Sequence, residues 1–281
     1  MEIRIGICQL DVTDVKEQNV QKALEMIKKA AEKGAELVVL PEMFNCPYQL
    51  NYFKPFAEEI PEGFTYQSLS QAAQENKVYL IGGSIPEKDG NHYYNTSLFF
   101  DKNGELIGLH RKIHLFDIDV KGKIAFKESA VLSPGKKITV IETPLAKIGI
   151  AICYDIRFPE LIRVMALEGA EIICVPAAFN MTTGPLHWET LFRCRAIDNQ
   201  LFMIAASPAR KVTASYVAYG HSLAVDPWGK VINEAGTAEE LLIVNLDLTE
   251  IQKVRQAIPS WQHRRTDLYQ LNYNIALKEE Q

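Results

Sequence analysis

Three side chains far apart in the sequence could together carry out acyl transfer: Cys153, Glu42 and Lys112. A thiol attacks a carbonyl carbon, a carboxylate takes up its proton, and an ammonium holds the oxyanion that forms. Cys153 stands where the apolar run Ile148 to Ile152 gives way to a helix start at Phe158-Pro159-Glu160. A cysteine between a buried strand and a helix is a nucleophile-elbow arrangement, and the helix N-terminus and a nearby cation should favour its thiolate. Glu42 follows the strand Leu37 to Leu40, and Lys112 follows the strand Leu106 to Leu109. Open α/β sheets place their ligands at such strand ends. Singly, each residue has a plainer explanation: a structural cysteine, a turn-capping carboxylate, a surface lysine. Their joint placement, each ending a strand of one repeated unit, points to a site.

The repeat is visible directly. Residues 34–45 read GAELVVLPEMFN and residues 169–180 read GAEIICVPAAFN, identical at six of twelve positions. Ile5-Gly6-Ile7, with Asp11 after it, resembles Ile148-Gly149-Ile150 followed by Asp155. Ser97-Leu98, Asp101, Gly104 and Ile107 recur at the same spacing as Ser222-Leu223, Asp226, Gly229 and Ile232. Three matches in one order indicate a duplicated unit.

The first unit predicts a strand at 3–9, a helix at 16–32, a strand at 36–40, a helix at 67–75, a strand at 78–82 and a hairpin of 95–100 with 105–109. The second predicts strands at 147–152, 172–175 and 201–205, helices at 159–168 and 186–197, and a hairpin of 222–225 with 230–233. Short apolar strands joined by helices are buried on both faces and connect by right-handed crossovers. Two such units suggest sheet stacked on sheet with helices outside. The expected fold is a four-layer αββα sandwich with internal pseudo-twofold duplication, in one domain spanning residues 1–281 with a polar tail from about residue 270. The halves differ where chemistry is expected: Pro41-Glu42 corresponds to Pro176-Ala177, and Cys153 corresponds to Gln9 or Leu10.

Composition excludes several classes. The chain has 281 residues, 47% hydrophobic and 23% charged, as in ordinary globular proteins. With 30 basic and 35 acidic residues the net charge is −5, and no basic stripe suggests a nucleic-acid partner. The first residues carry charges that break up any signal-peptide core, and no apolar run reaches the ~20 residues of a membrane span. A cytoplasmic location without membrane contact is the expectation. The five cysteines, irregularly spaced and without a CxxC pair, suggest neither disulfides nor a zinc knuckle, and Cys8 and Cys174 read as small buried hydrophobes. His110 and His114 have no HExxH pattern or third ligand beside them, so no metal and no cofactor are expected. No histidine is placed in sequence to serve as a papain-like partner of Cys153, and a glutamate base, Glu42, is the simpler reading. His187-Trp188 reads as helix-start packing.

The segments Leu40-Pro41-Glu42-Met43-Phe44, Arg111-Lys112-Ile113-His114-Leu115 and Ile152 to Glu160 resemble the three signatures of the nitrilase superfamily, the carbon–nitrogen hydrolases. The resemblance runs from about Ile3 to Tyr269. It implies an αββα sandwich, with Glu42 as base, Lys112 as oxyanion donor and Cys153 as nucleophile. Glu128 would be a second glutamate holding the lysine, and the Tyr154 N–H a second oxyanion donor. Residues 45–48, 114–120, 179–185 and 207–210 further resemble the branch acting on short dicarboxylic monoamides such as 2-oxoglutaramate and 2-oxosuccinamate. The products would be a dicarboxylate and ammonia, formed through a cysteine thioester. For the substrate's remote carboxylate Arg157 is the candidate clamp, with Thr183 and Tyr48 adding hydroxyls and Phe116 lining the site. Arg157 could equally be a structural partner of Asp155 or Glu160. The resemblance also implies a homodimer or larger homo-oligomer. Two other readings stay open: another substrate (deaminated glutathione, an N-carbamoyl amine or a nitrile), and a non-catalytic binding or regulatory protein.

Overall fold

The computed structural model describes residues 2–273. The expected tail therefore lies, from residue 274 onward, outside the described residues. In the first half the elements are β1 (Glu2–Gln9), α1 (Lys16–Glu32), β2 (Leu37–Val39), α2 (Leu50–Phe56), α3 (Phe64–Asn76), β3 (Tyr79–Ile81), β4 (Ile85–Asp89), β5 (His92–Phe100) and β6 (Leu106–Arg111). A hairpin of β7 (Asp117–Val120) and β8 (Ile124–Lys127) follows. The second half has β9 (Thr139–Glu142), β10 (Lys147–Ile150), α4 (Pro159–Leu167), β11 (Ile172–Pro176), α5 (Gly184–Asn199), β12 (Phe202–Ala206), β13 (Leu223–Val225) and β14 (Val231–Glu234). The described chain finishes its regular structure with β15 (Glu240–Asp247) and α6 (Thr249–Ala257).

The two sheets repeat one pattern. In the first, β1, β2 and β3 are parallel, and β5 and β6 continue antiparallel. In the second, β10, β11 and β12 are parallel, and β13 and β14 continue antiparallel. Each sheet also carries an antiparallel strand beside its first parallel one, β15 on β1 and β9 on β10. The duplication in sequence is thus a duplication in topology. The strand β15 was not foreseen: it follows the second unit yet completes the first sheet along its whole register with β1.

Alternation along the strands builds the layers. Ile3, Ile5, Ile7, Leu37, Val39 and Ile81 of the first sheet meet Ile148, Ile150, Ile172, Cys174, Phe202 and Ile204 of the second in one buried core. The opposite faces turn outward onto helices. Val38 and Leu80 pack under α1 and α3 through Val20, Ile27, Leu69 and Ala73. Ile173 and Met203 pack under α4 and α5 through Ile162, Met165, Phe192 and Ala196. The result is the αββα sandwich. Each fully buried aliphatic side chain contributes about 1.5–3 kcal/mol, so this inter-sheet layer carries much of the stability. Cys8 and Cys174 are fully buried apolar fillers, as expected.

Candidate active site

The site forms at the seam between the sheets, where strands of both end. Glu42 lies beyond β2, Lys112 directly after β6, Glu128 directly after β8, and Cys153 beyond β10. Glu42, Lys112 and Glu128 are completely buried and Cys153 is nearly so. Three segments of the first half and one of the second therefore converge on one water-poor pocket.

Lys112 is the hub. Its Nζ lies 2.9 Å from Glu42 Oε1 and 2.9 Å from Glu128 Oε2. It also donates to the Tyr48 hydroxyl at 3.2 Å. Asn95 Nδ2 donates to Glu42 Oε1 at 2.9 Å and reaches Glu128 Oε1 at 3.3 Å. The other oxygen of each glutamate is held by a backbone N–H: Ala178 donates to Glu42 Oε2 at 2.8 Å, and Phe116 donates to Glu128 Oε2 at 2.7 Å. The lysine's own backbone is fixed as well, its N–H donating to Asn95 O at 2.8 Å and its carbonyl accepting from Gly135 at 2.8 Å. Burial of two carboxylates is tolerable because an ammonium and amide donors surround them.

The same environment sets the charges. Burial disfavours the Lys112 ammonium, but the Glu128 and Glu42 carboxylates outweigh it and hold its pKa above the ordinary lysine value. Burial pushes the Glu42 carboxyl up, the lysine opposes this and Glu128 adds to it. Burial also pushes the Cys153 thiol well above its usual range, and Glu42 reinforces the rise against the pull of Lys112 and of the Ala178 N–H. The expectation of a resting thiolate is thus corrected. The adjoining helix turn and Lys112 are present, but desolvation and the facing carboxylate outweigh them, and the thiol stays protonated at neutral pH.

Local backbone explains the placement. Cys153 has φ 46, a left-handed conformation unusual for a side-chain-bearing residue, and opens a short 3₁₀ turn, Cys153–Arg157, ahead of α4. That is the sharp strand-to-helix corner of a nucleophile elbow. Beyond β2, the loop carrying Glu42 is pinned by Ser84, whose N–H donates to Pro41 O at 3.2 Å and whose hydroxyl accepts from the Met43 N–H at 3.0 Å. Gly83, at φ +58, passes so close that a Cβ would stand 2.1 Å from Pro41 O.

The remaining expected residues are distributed as follows. Tyr48, expected to offer a hydroxyl to substrate, places it 3.3 Å from Glu42 Oε1 and 3.2 Å from Glu128 Oε1, inside the charged cluster. Its ring lines a cavity of about 60 Å³ beside Glu42, shared with Ala178 and Tyr216. Phe116 is buried, its ring set edge-on to Tyr154 at 5.3 Å between centroids. Thr183 precedes α5, and its N–H donates to Asn180 Oδ1 at 3.0 Å. Arg157 has its guanidinium 4.8 Å from the Phe179 ring centre and 5.7 Å from that of Tyr154. Its Nη1 meets His187 Nδ1 at 3.1 Å. Burial, with help from Arg157, lowers the His187 pKa, so the ring accepts as a neutral base.

Several contributors were missed. Asn95 was read only as the start of a hairpin strand, and its burial with Thr96 and Ser97 is set by the fold. The Ala178 N–H carries no side-chain signal. Tyr216 packs tilted against Tyr48, 4.7 Å between ring centroids, and its hydroxyl donates to Ala178 O. Asp155, weighed as a partner of Arg157, instead binds His110 and His114, the pair considered above for a metal.

An αββα sandwich with a thiol, two carboxylates and an ammonium buried together at its sheet ends brings together groups that can carry out carbon–nitrogen hydrolysis. The carbon–nitrogen hydrolase family profile matches residues 4–256, and the chain belongs to that family, the nitrilase superfamily. Omega-amidase NIT2 of Danio rerio is 52% identical over 271 residues, covering 96% of this chain and 98% of the relative. Omega-amidase NIT2 of Homo sapiens is 49% identical over 266 residues, covering 95% and 96%. The crystal structure of Saccharomyces cerevisiae Nit3, described as a member of branch 10 of the nitrilase superfamily, superposes with a TM-score of 0.87 at 44% identity, covering 94% of this chain and 97% of that one. No helix among the described residues is long and apolar enough to cross a membrane.

Proposed function

We propose that this chain is an amidase that hydrolyses the terminal amide of short dicarboxylic monoamides, of which 2-oxoglutaramate and 2-oxosuccinamate are the type. The observation that carries the reading is Lys112 Nζ held at 2.9 Å from both Glu42 and Glu128 in the pocket of Cys153. The 52% and 49% identity to two omega-amidases, over 96% and 95% of this chain, supports the substrate class.

In the proposed cycle the Cys153 sulfur attacks the amide carbon while its proton passes to Glu42. Because the resting thiol is protonated, that transfer belongs to the attack itself rather than preceding it. The carbonyl oxygen becomes an oxyanion held by Lys112 and the Tyr154 N–H. Glu42 returns the proton to the amide nitrogen, the carbon–nitrogen bond breaks and ammonia leaves. Water then gives a proton to Glu42 and attacks the thioester, releasing the dicarboxylate and restoring the thiol. Glu128 holds the lysine throughout. Arg157 is the proposed clamp for the remote carboxylate: both oxygens of Asp155 are committed elsewhere, and the partner of Arg157 Nη1 is the uncharged His187 ring. Thr183 and Phe116 complete the proposed pocket, and Tyr48 contributes its ring.

The five cysteines are all free, which suits a reducing compartment, and a cytoplasmic location is proposed on that ground. Ile197, Trp228 and Ile258 are about half exposed around one cavity and offer an apolar surface for the homodimer that the family resemblance implies.

The test is ammonia release from 2-oxoglutaramate, succinamate, glutamine, an N-carbamoyl amine and a nitrile, with Cys153→Ala in parallel. Preference for the dicarboxylic monoamides and loss of turnover in the variant are expected. Activity surviving in Cys153→Ala, or turnover confined to the nitrile or carbamoyl compounds, overturns the reading.

A further inference from the structure

The two sheets supply different parts of the site. Glu42 and Lys112 come from the first and Cys153 from the second. Between the sheets the contacts are largely aliphatic, and such contacts are non-directional. They hold the layers together but do not by themselves aim one strand end at another. Directional ties must do that.

Two of the ties that cross the seam at the site bind the segments of Glu42 and Cys153. One is the hydrogen bond from the Ala178 N–H to Glu42 Oε2, which sets the base against the strand beside β10. The other is Asp155. On the elbow, its Oδ2 accepts the N–H of Ile152, the residue before Cys153, at 3.0 Å. Toward the lysine, the same oxygen lies 3.3 Å from His110 Nε2. Its Oδ1 accepts the His114 N–H at 2.9 Å and lies 2.8 Å from His114 Nδ1. His110 and His114 bracket Lys112, two residues away on either side. His110 is anchored in turn at Thr139 Oγ1, 3.0 Å from its Nδ1, and His114 stacks on Phe158 at 3.6 Å. Asp155 is completely buried, so water does not compete for these charge-assisted bonds.

We infer that Asp155 is a positioning residue that fixes the Cys153 sulfur relative to the Lys112 ammonium by binding the elbow on one side and His110 and His114 on the other. Its bonds go to Ile152, His110 and His114, the neighbours of Cys153 and Lys112. The inference rests on the roles proposed above for Cys153 and Lys112. A displacement of about 1 Å between reacting groups costs on the order of 100-fold in rate. The clamp therefore acts on turnover through the lysine.

His114→Phe is the cleanest probe, since it keeps a ring for Phe158 and removes only the Nδ1 contact at a half-buried site. Asp155→Asn is the second. Both should lower kcat at least tenfold with KM changed less than threefold and thermal midpoint nearly unchanged for His114→Phe. In a Lys112→Ala background, where the aim of the lysine no longer matters, His114→Phe should cost less than a further threefold. An equal fold-loss with and without Lys112, or unchanged kcat in both variants, overturns the clamp. If the wild type releases ammonia from no amide, the proposed function fails instead. The clamp is then read from iodoacetamide alkylation of Cys153, expected at least threefold slower in His114→Phe and overturned by an unchanged rate.

Discussion

Glu42 and Glu128 share one counter-ion: each brings a carboxylate oxygen to 2.9 Å from Lys112 Nζ, and neither carboxylate is exposed. Three charges in one buried pocket sum to minus one, so each glutamate feels the other's charge. Glu128 is one cause of the raised Glu42 pKa, after burial and against the pull of Lys112.

Neutralising Glu128 therefore has a signed consequence. In Glu128→Gln the repulsion that favours protonated Glu42 is gone, and the Glu42 pKa falls. As the proposed base, Glu42 would act only above its pKa, so the acid limb of the kcat/KM profile should move to lower pH. Turnover should also drop, because Lys112 loses one of its two carboxylate supports. About tenfold is expected, short of the roughly 10²–10³ for removing an oxyanion donor outright. A pH–rate profile of both proteins checks this, and an acid limb that stays put or rises contradicts it.

The proposed base and the proposed nucleophile should separate in Glu42→Gln. The Glu42 carboxylate helps hold the Cys153 thiol above its usual range, while Lys112 pulls it down. Removing the negative charge leaves the lysine's pull, so the thiol pKa falls and the thiolate forms at lower pH. Alkylation of Cys153 by iodoacetamide should then reach its midpoint at lower pH than in the wild type. Amide turnover should move the other way, falling by about 10²–10⁴ for loss of general base catalysis. Parallel loss of both reactivities would show that Glu42 does not restrain the thiol.

The layered frame was legible because repetition and alternation are local signals. The α1 span, Lys16–Glu32, follows from periodicity alone, and the paired segments GAELVVLPEMFN and GAEIICVPAAFN disclose β2 and β11 together. The strand β15 was not legible, because its partner β1 lies more than 200 residues earlier and its own run Glu240–Asp247 has weak contrast. Similarly, α2 carries Pro55 inside seven residues, which reads as a loop. In the site, Glu42, Lys112 and Cys153 stood out as strand-end residues that could do chemistry. Asn95 and the Ala178 N–H did not, since their importance lies in where folding places them. The protonation state of Cys153 was misjudged for the same reason: the helix turn and lysine are visible in sequence, whereas desolvation and the carboxylate facing the sulfur belong to the fold.

Gly83 offers a test of how tightly the Glu42 loop is held. A methyl group there would meet Pro41 O at 2.1 Å, and φ +58 is itself unfavourable for any residue with a Cβ. Overpacking costs about 1–3 kcal/mol and the left-handed backbone about 1 kcal/mol more, so Gly83→Ala should be destabilised by about 2–4 kcal/mol. In a chain of this size the thermal midpoint should fall by roughly 3–7 °C. Because the displaced carbonyl adjoins Glu42, turnover should fall even at temperatures where the variant is folded. A midpoint within a degree or two of the wild type would mean that the loop moves aside freely.

Arg157 decides whether charge selects the substrate. Its guanidinium rests near the rings of Phe179 and Tyr154 and meets the neutral His187, and Asp155 is fully engaged with other donors. Among the described residues no carboxylate pairs with Arg157, and a guanidinium held on an aromatic bed close to the Cys153 turn suits a carboxylate accepted through two N–H groups. Lysine keeps the charge but loses the fork, and methionine loses both. For a monoamide bearing a carboxylate, KM should rise about tenfold in Arg157→Lys and about 100-fold in Arg157→Met, with kcat less affected. For a neutral amide of the same length, both variants should stay within about threefold of the wild type, because no carboxylate is there to lose. Steady-state kinetics on a matched pair of amides, one ending in a carboxylate and one in a methyl group, makes the comparison. Equal losses on both members of the pair would assign Arg157 to holding the Cys153–Arg157 turn rather than to recognising substrate.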